Sequence, residues 1–241
     1  MVERLSVVGF LDEEAVSITP PKAFSIFGFD VSETMLITWI VIAILILAAA
    51  AIRIFVIPRF KTVPKGFQNI LETLVDYCEK FTDSALGKRG AALAAYVFTI
   101  ALLIVATSLT ELFGFRPPAT DINFTIALAV MSFVLINAFG FYYTGFIGRM
   151  RWFLKPKAFM LPINVVTHAV IPVSLSFRLF GNMFAGMVVM DLLYSVAWLS
   201  VGVPAILSIY FNLFHVGIQT YIFLILTLSF MEETVAYGAK R

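Results

Sequence analysis

Long runs of apolar residues dominate this 241-residue chain and restrict the folds open to it. Hydrophobic residues make up 61% of the sequence, charged residues only 13%, and the mean hydropathy is +0.96. An apolar run of about 20 residues is long enough to cross the hydrocarbon core of a bilayer as a helix. Because backbone polar groups in lipid need internal partners, the sequence predicts one all-α integral membrane domain over residues 1–241.

The apolar pattern predicts about five transmembrane helices and one amphipathic helix that lies on the membrane surface. In chain order, the predicted segments are an external N-terminal segment (1–33), a first span (34–57), the amphipathic helix (65–86), the second and third spans (91–147) and a helical hairpin (159–237). The two stretches of the hairpin are longer than upright spans, so we expect them to tilt steeply around a turn at Gly202 and Pro204.

The distribution of lysine and arginine predicts the orientation of the chain. Thirteen cations fall in residues 53–89, in residues 149–157 and at the C-terminus, against Arg4, Lys22 and Arg116 on the opposite side. The positive-inside rule then places the N-terminus outside and the C-terminus in the cytoplasm.

Arg178 is a lone cation in the middle of the fourth apolar stretch, with no other charge between Lys157 and Asp191. An arginine stays charged at any working pH, and burying it at mid-membrane costs roughly 2.5–3.5 kcal/mol or more, so its position indicates a function. The structural alternative is an arginine that snorkels to the interface, which the long apolar flanks on both sides disfavour.

Three parts of the sequence carry a resemblance to subunit a of the F-type rotary ATP synthase. They are the Arg-Leu-Phe-Gly-Asn run within residues 178–186, the segment 212–223 that contains Gln219, and the loop 117–123. The resemblance covers most of the chain, including the amphipathic segment. Folding the predicted hairpin also brings Arg178 and Asn182 level with Gln219, and Asp191 level with Asn212 and His215.

This resemblance implies a stator subunit with no catalytic site of its own, within an ion-translocating ATP synthase. Arg178 would face the carboxylates of a rotating c-ring between two offset half-channels, with Gln219 beside it. The implied partners are the c-ring, the b subunits of the peripheral stalk, the lipid bilayer and the translocated H⁺ or Na⁺. The implied location is a bacterial plasma membrane. The ring supplies the selective site, so this chain leaves the identity of the ion open.

The sequence departs from the family pattern where many relatives carry a proton-relay pair. Those two positions are Met187 and Asn212 here, and neither side chain relays protons. Asp191 and His215 lie four and three residues further on, about one helical turn away, so we expect them to form a displaced relay. The alternatives are a solvated Asp191 near a helix end and a hydrogen-bonded core His215.

Other polar residues in the apolar segments are candidates for the ion path. His168, with Ser174, would line the inner half-channel, or His168 is simply an interfacial histidine. Glu111 and Asp121 would attract cations to the external mouth, or they are solvated helix ends. The remaining candidates are Asn182, Asn212 and Gln219.

No pattern for another chemistry appears in the sequence. It has no Gly-rich phosphate loop with its lysine, so we expect no bound nucleotide, no nucleic acid and no cofactor. One cysteine and two distant histidines predict no metal site.

The alternative function is a self-contained secondary transporter or channel with Arg178 as an anion-binding or gating residue. Such folds often contain internal repeats, and none is evident here.

Overall fold

The structure is a computed structural model, which describes residues 22–26, 29–61, 65–87, 90–154, 159, 161–195 and 210–236. Its main elements are β1 (Lys22–Ile26), β2 (Phe29–Ser32), α1 (Glu33–Ala51), α2 (Phe67–Leu86), α3 (Ala91–Leu109), α4 (Ile122–Leu154), α5 (Leu161–Ser195) and α6 (Val216–Ala236). Short π-helical turns at Ile52–Val56 and Tyr210–His215 extend α1 and precede α6. Short 3₁₀ turns lie at Ile57–Arg59, Thr110–Phe113 and Pro118–Thr120.

Within the described residues, five helical segments are long and apolar enough to cross a membrane. They are Glu33–Arg59, Ala92–Phe113, Ile122–Phe146, Leu161–Met190 and Val216–Val235. The prediction of an all-α membrane protein with five spans and one amphipathic helix is confirmed. The sequence analysis did not predict the short antiparallel hairpin of β1 and β2, in which Ser25 pairs with Asp30.

The core lies where α3, α4, α5 and α6 meet. Four of its most buried side chains, one from each helix, are less than 1% exposed: Ile104, Ile136, Leu179 and Met231. Hydroxyl groups join neighbouring helices inside this core. The Tyr96 hydroxyl lies 2.6 Å from Ser132 Oγ, and Thr125 Oγ1 lies 3.1 Å from Ser176 Oγ. Polar groups within the apolar bundle therefore find partners across helices, as lipid requires.

Helix α2 has the amphipathic character that the sequence predicts. Asp76, Glu79 and Lys80 are exposed, whereas Phe81 packs against Tyr221 of α6 with ring centroids 5.7 Å apart. The turn from α2 to α3 is tight at Gly90, where a Cβ atom would lie 2.7 Å from the Thr82 carbonyl oxygen. Helix α2 therefore rests on α3 and α6 by its apolar face.

Helix α4 is kinked at Gly145, whose backbone has φ 66° and ψ 170°. In a straight helix the Cα atoms of residues 137 and 149 would be about 18 Å apart, more than the two side chains span. The Arg149 Nη2 nevertheless donates to Asn137 Oδ1 over 2.8 Å. The kink therefore turns the end of α4 back toward the bundle and carries Arg149 inside it.

Replacing Gly145 with alanine is expected to lower the stability of the chain by about 1–3 kcal/mol, because this backbone conformation is nearly restricted to glycine. The measurement is the apparent melting temperature of the purified chain in detergent. Gly217→Ala is the matched control, since Gly217 lies in α6 and no atom lies within 4 Å of a Cβ built there. That control should melt at the same temperature or higher, because alanine favours a helix. Equal melting temperatures for Gly145→Ala and the unaltered chain would contradict the role of the kink.

Candidate functional site

Arg178 lies on the outward face of α5. Leu175 and Leu179, which flank it along the helix, are 2% and 0% exposed and hold α5 to the core. Arg178 lies beside this buried stripe and is itself exposed, as are Gly181 and Ala185, one and two turns further on along the same line of the helix. Small residues on a membrane helix let another helix approach closely. The face that carries Arg178 is therefore accessible to a partner within the membrane.

Asn182, one turn beyond Arg178, connects this face to the interior. Its Nδ2 donates to Gln219 Oε1 of α6 over 2.5 Å. Gln219 is only 2% exposed, and its Nε2 is buried with no hydrogen-bond partner in the described part of the chain. A buried donor left without a partner costs about 1–3 kcal/mol, so such groups point to a function or to a bound water. The structure thus brings Asn182 and Gln219 together one turn from the fixed charge.

A second polar cluster joins α4 to α5 around a buried cation. Arg149 is 1% exposed, and its Nη2 lies 2.8 Å from Asn137 Oδ1 and 2.9 Å from His168 Nε2. His168 Nε2 also lies 2.9 Å from Asn137 Oδ1. Burial lowers the pKa of the Arg149 guanidinium from its usual value, and the Glu233 carboxylate of α6 opposes this shift. His168 is thus held at the end of the bundle where α4 ends and α5 begins, in contact with the Arg149 guanidinium.

Arg149 was counted from the sequence only among the cations of residues 149–157, and its place inside the bundle was not predicted. The helix-breaking Gly145, four residues earlier, was the one local signal that the chain turns back there. Gly140 leaves the room that the guanidinium needs, because a Cβ atom there would lie 3.3 Å from Arg149 Nη1.

The two acidic candidates, Asp121 and Glu111, have different environments. Asp121 is 7% exposed, and its carboxylate accepts hydrogen bonds from Thr34 Oγ1 at 2.7 Å and from the Asn123 backbone N–H at 2.9 Å. Asp121 therefore caps the start of α4 and ties it to α1. Glu111 is half-buried in the 3₁₀ turn Thr110–Phe113. Ser174, by contrast, is exposed one turn before Arg178.

The predicted relay pair falls partly outside the described residues. Asp191 belongs to α5 and Asn212 to the π-helical turn, but their side chains are not described, and neither is the predicted hairpin turn within residues 196–209. His215 ends the π-helical turn and is half-buried. Pairing of Asp191 with His215 stays a prediction.

Comparison with known proteins identifies the family. The profile of the ATP synthase A chain family matches residues 35–232. The chain is 30% identical over 229 residues to the sodium ion specific ATP synthase subunit a of Propionigenium modestum, covering 88% of this chain and 77% of that protein. It is 30% identical over 220 residues to ATP synthase subunit a of Moorella thermoacetica, covering 90% of this chain and 97% of that protein. It is 31% identical over 224 residues to ATP synthase subunit a of Geobacter sp. (strain M21), covering 90% of this chain and 93% of that protein.

The match covers three of the five candidate transmembrane segments in full and all but the outermost residues of the first and the last, and it includes Arg178, Asn182 and Gln219. The chain belongs to the ATP synthase A chain family.

Proposed function

We propose that this chain is the stator subunit of an ATP synthase membrane sector, carrying protons or Na⁺ through two offset half-channels to and from the carboxylates of a c-ring. The observation that carries this proposal is the position of Arg178. It is an always-charged residue on an exposed face of a membrane helix, where Gly181 and Ala185 leave room for a neighbouring helix. A ring of partner helices fits that face, whereas lipid would leave the charge without a counter-ion.

The fixed charge explains both ion release and the block to leakage. An arriving ring carboxyl loses its ion near Arg178 because an opposite charge favours the ionised form of a carboxyl group. The guanidinium does not give up its own proton, so it relays nothing between the half-channels. Asn182 and Gln219 then supply polar groups beside the charge.

We assign the half-channels to the two ends of the bundle. Asp191 and His215, with Asn212 nearby in the chain, form the outer entry, and Glu111 and Asp121 lie at the same end. His168 and Ser174 belong to the inner half-channel, where Arg149 orients the imidazole.

In a bacterial plasma membrane, the N-terminus then faces outward and the C-terminus faces the cytoplasm. The c-ring and the b subunits of the peripheral stalk are the proposed partners, and family membership favours this function over a self-contained transporter.

Arg178→Ala is expected to abolish ATP-driven ion pumping and ion-driven ATP synthesis, because no other described cation lies on that face. Both activities are measured in vesicles that contain the reconstituted complex. Arg53→Ala, which removes an exposed arginine at the end of α1, is the matched control and should retain both activities. Near-normal pumping by a correctly assembled Arg178→Ala complex would overturn the proposed function.

Gln219→Leu is expected to reduce ion flux without lowering the melting temperature. Leucine has a similar size and removes a buried donor that has no partner, which offsets the lost hydrogen bond to Asn182. Thr227→Val is the control on the same helix, since among the described residues that hydroxyl bonds only to the Phe223 carbonyl oxygen, 2.8 Å away. Unchanged flux in Gln219→Leu would remove Gln219 from the path.

The double variant Asp191→Asn, His215→Ala is expected to slow proton flux markedly, because it removes the two titratable groups of the outer entry. Adding Met187→Glu and Asn212→His to that variant should restore part of the flux by rebuilding the pair at the positions that relatives use. Vesicle proton flux is the measurement. Unaltered flux in the double variant would rule out the displaced relay and leave the stator function intact.

A further inference from the structure

A basic cavity of about 380 Å³ lies where α1 ends and α2 begins, away from the ion path. Its lining consists of Phe55, Val56, Arg59, Phe60, Lys61, Lys65, Phe67 and Gln68. Three of these eight residues are cations and none is acidic. Helix α2 also has no acidic residue in its first turn, so the positive end of its dipole adds to the potential of the cavity. The site therefore favours an anionic ligand.

One wall of the cavity is held in place by a glutamine. The Lys61 backbone N–H donates to Gln68 Oε1 at 3.1 Å, and Gln68 Nε2 donates back to the Lys61 carbonyl oxygen at 2.8 Å. The same Nε2 donates to Glu72 Oε1 at 2.8 Å. This paired bonding fixes the backbone of Lys61 against the first turn of α2. These hydrogen bonds thus hold the part of the cavity wall that carries Lys61 in a defined position.

The surroundings of the cavity suit an amphiphile. The candidate span Glu33–Arg59 ends at the cavity, and only 6% of its apolar window is buried inside the chain. Ile54 and Phe55, in the last turns before the cavity, are 63% and 62% exposed. A ligand with a charged head in the cavity would therefore have open apolar surface beside it for its hydrocarbon chains.

We propose that this cavity binds the phosphate headgroup of an anionic phospholipid from the leaflet in which α1 ends. Arg59, Lys61 and Lys65 supply the charge and the hydrogen-bond donors, since guanidinium and ammonium groups are the usual phosphate partners in proteins. The acyl chains lie along Ile54 and Phe55. Basic pockets at the membrane boundary select anionic headgroups in this way.

The test is a titration of the full chain, in neutral detergent, with fluorescently labelled phosphatidylglycerol. We expect saturable binding that unlabelled phosphatidylglycerol displaces and that phosphatidylcholine and inorganic phosphate do not. Lys61→Gln combined with Lys65→Gln should weaken the affinity by about tenfold or more, since each cation near a headgroup adds to its electrostatic attraction. The matched control is Arg53→Gln with Lys80→Gln, which removes the same charge from exposed residues that do not line the cavity.

Three outcomes would overturn the proposal. An equal loss of affinity in the control pair would show a diffuse basic surface. Displacement by phosphatidylcholine would show that the charge is not recognised, and displacement by inorganic phosphate at equal concentration would show a free-phosphate site. Melting temperatures of all variants verify that they are folded.

A second measurement does not depend on any variant. Photoactivatable phosphatidylglycerol, added to the assembled membrane complex of the unaltered chain, should label peptides that contain residues 55–68. Labelling confined to other peptides would refute the site. Labelling there in the isolated chain but not in the complex would show that an acidic segment of a partner protein occupies the cavity, which also contradicts a lipid site.

Discussion

The shortage of hydrogen-bond partners inside a bilayer is the constraint on which this structure depends. Each polar group in the bundle must bond to its own helix, reach another helix, or face something other than lipid. Thr107 and Ser108 take the first solution and bond to carbonyl oxygens within α3. Asn182 takes the second through Gln219. Arg178 has neither contact among the described residues and lies on an exposed face, which is the reason for proposing that a group from another protein lies beside it.

Arg149, which is buried, and Arg178, which is exposed, illustrate this constraint in opposite ways. Arg149 is buried and bonded to Asn137 and His168, with Glu233 near enough to favour its charge. The charged guanidinium of Arg149 therefore stabilises the contact between α4 and α5. Helix α5 has one buried apolar side and one exposed side, and Arg178 lies on the exposed side. Its charge is therefore accessible to a group from outside the chain. The fold thus separates a buried cation that holds two helices together from an exposed cation on the outer surface of α5.

Most of the fold could be predicted from the sequence because it follows from the length and periodicity of apolar runs. Helices α1, α2 and α3 begin at Glu33, Phe67 and Ala91, within two residues of the starts 34, 65 and 91 of the predicted segments. The kink at Gly145 could not be predicted, since a single glycine in a membrane helix is compatible with a straight course. Arg149 was therefore assigned to a loop. The sequence predicted Asn182 and Gln219 at one depth, but not that Asn182 is the residue that contacts Gln219.

The π-helical turn Tyr210–His215 contains both Asn212 and His215, so it affects the predicted relay pair. Residues three apart in an α-helix lie on neighbouring parts of one face, but the backbone of this turn bonds from residue i to i+5, so the α-helical spacing between positions 212 and 215 does not apply here. His215 then no longer substitutes for Asn212 by a simple shift of one turn. It lies instead at the junction with α6, four residues before Gln219 and about one turn from it, because the helix is regular from Val216 onward. A relay through His215 would therefore deliver ions along α6 toward Gln219 and the Arg178 face.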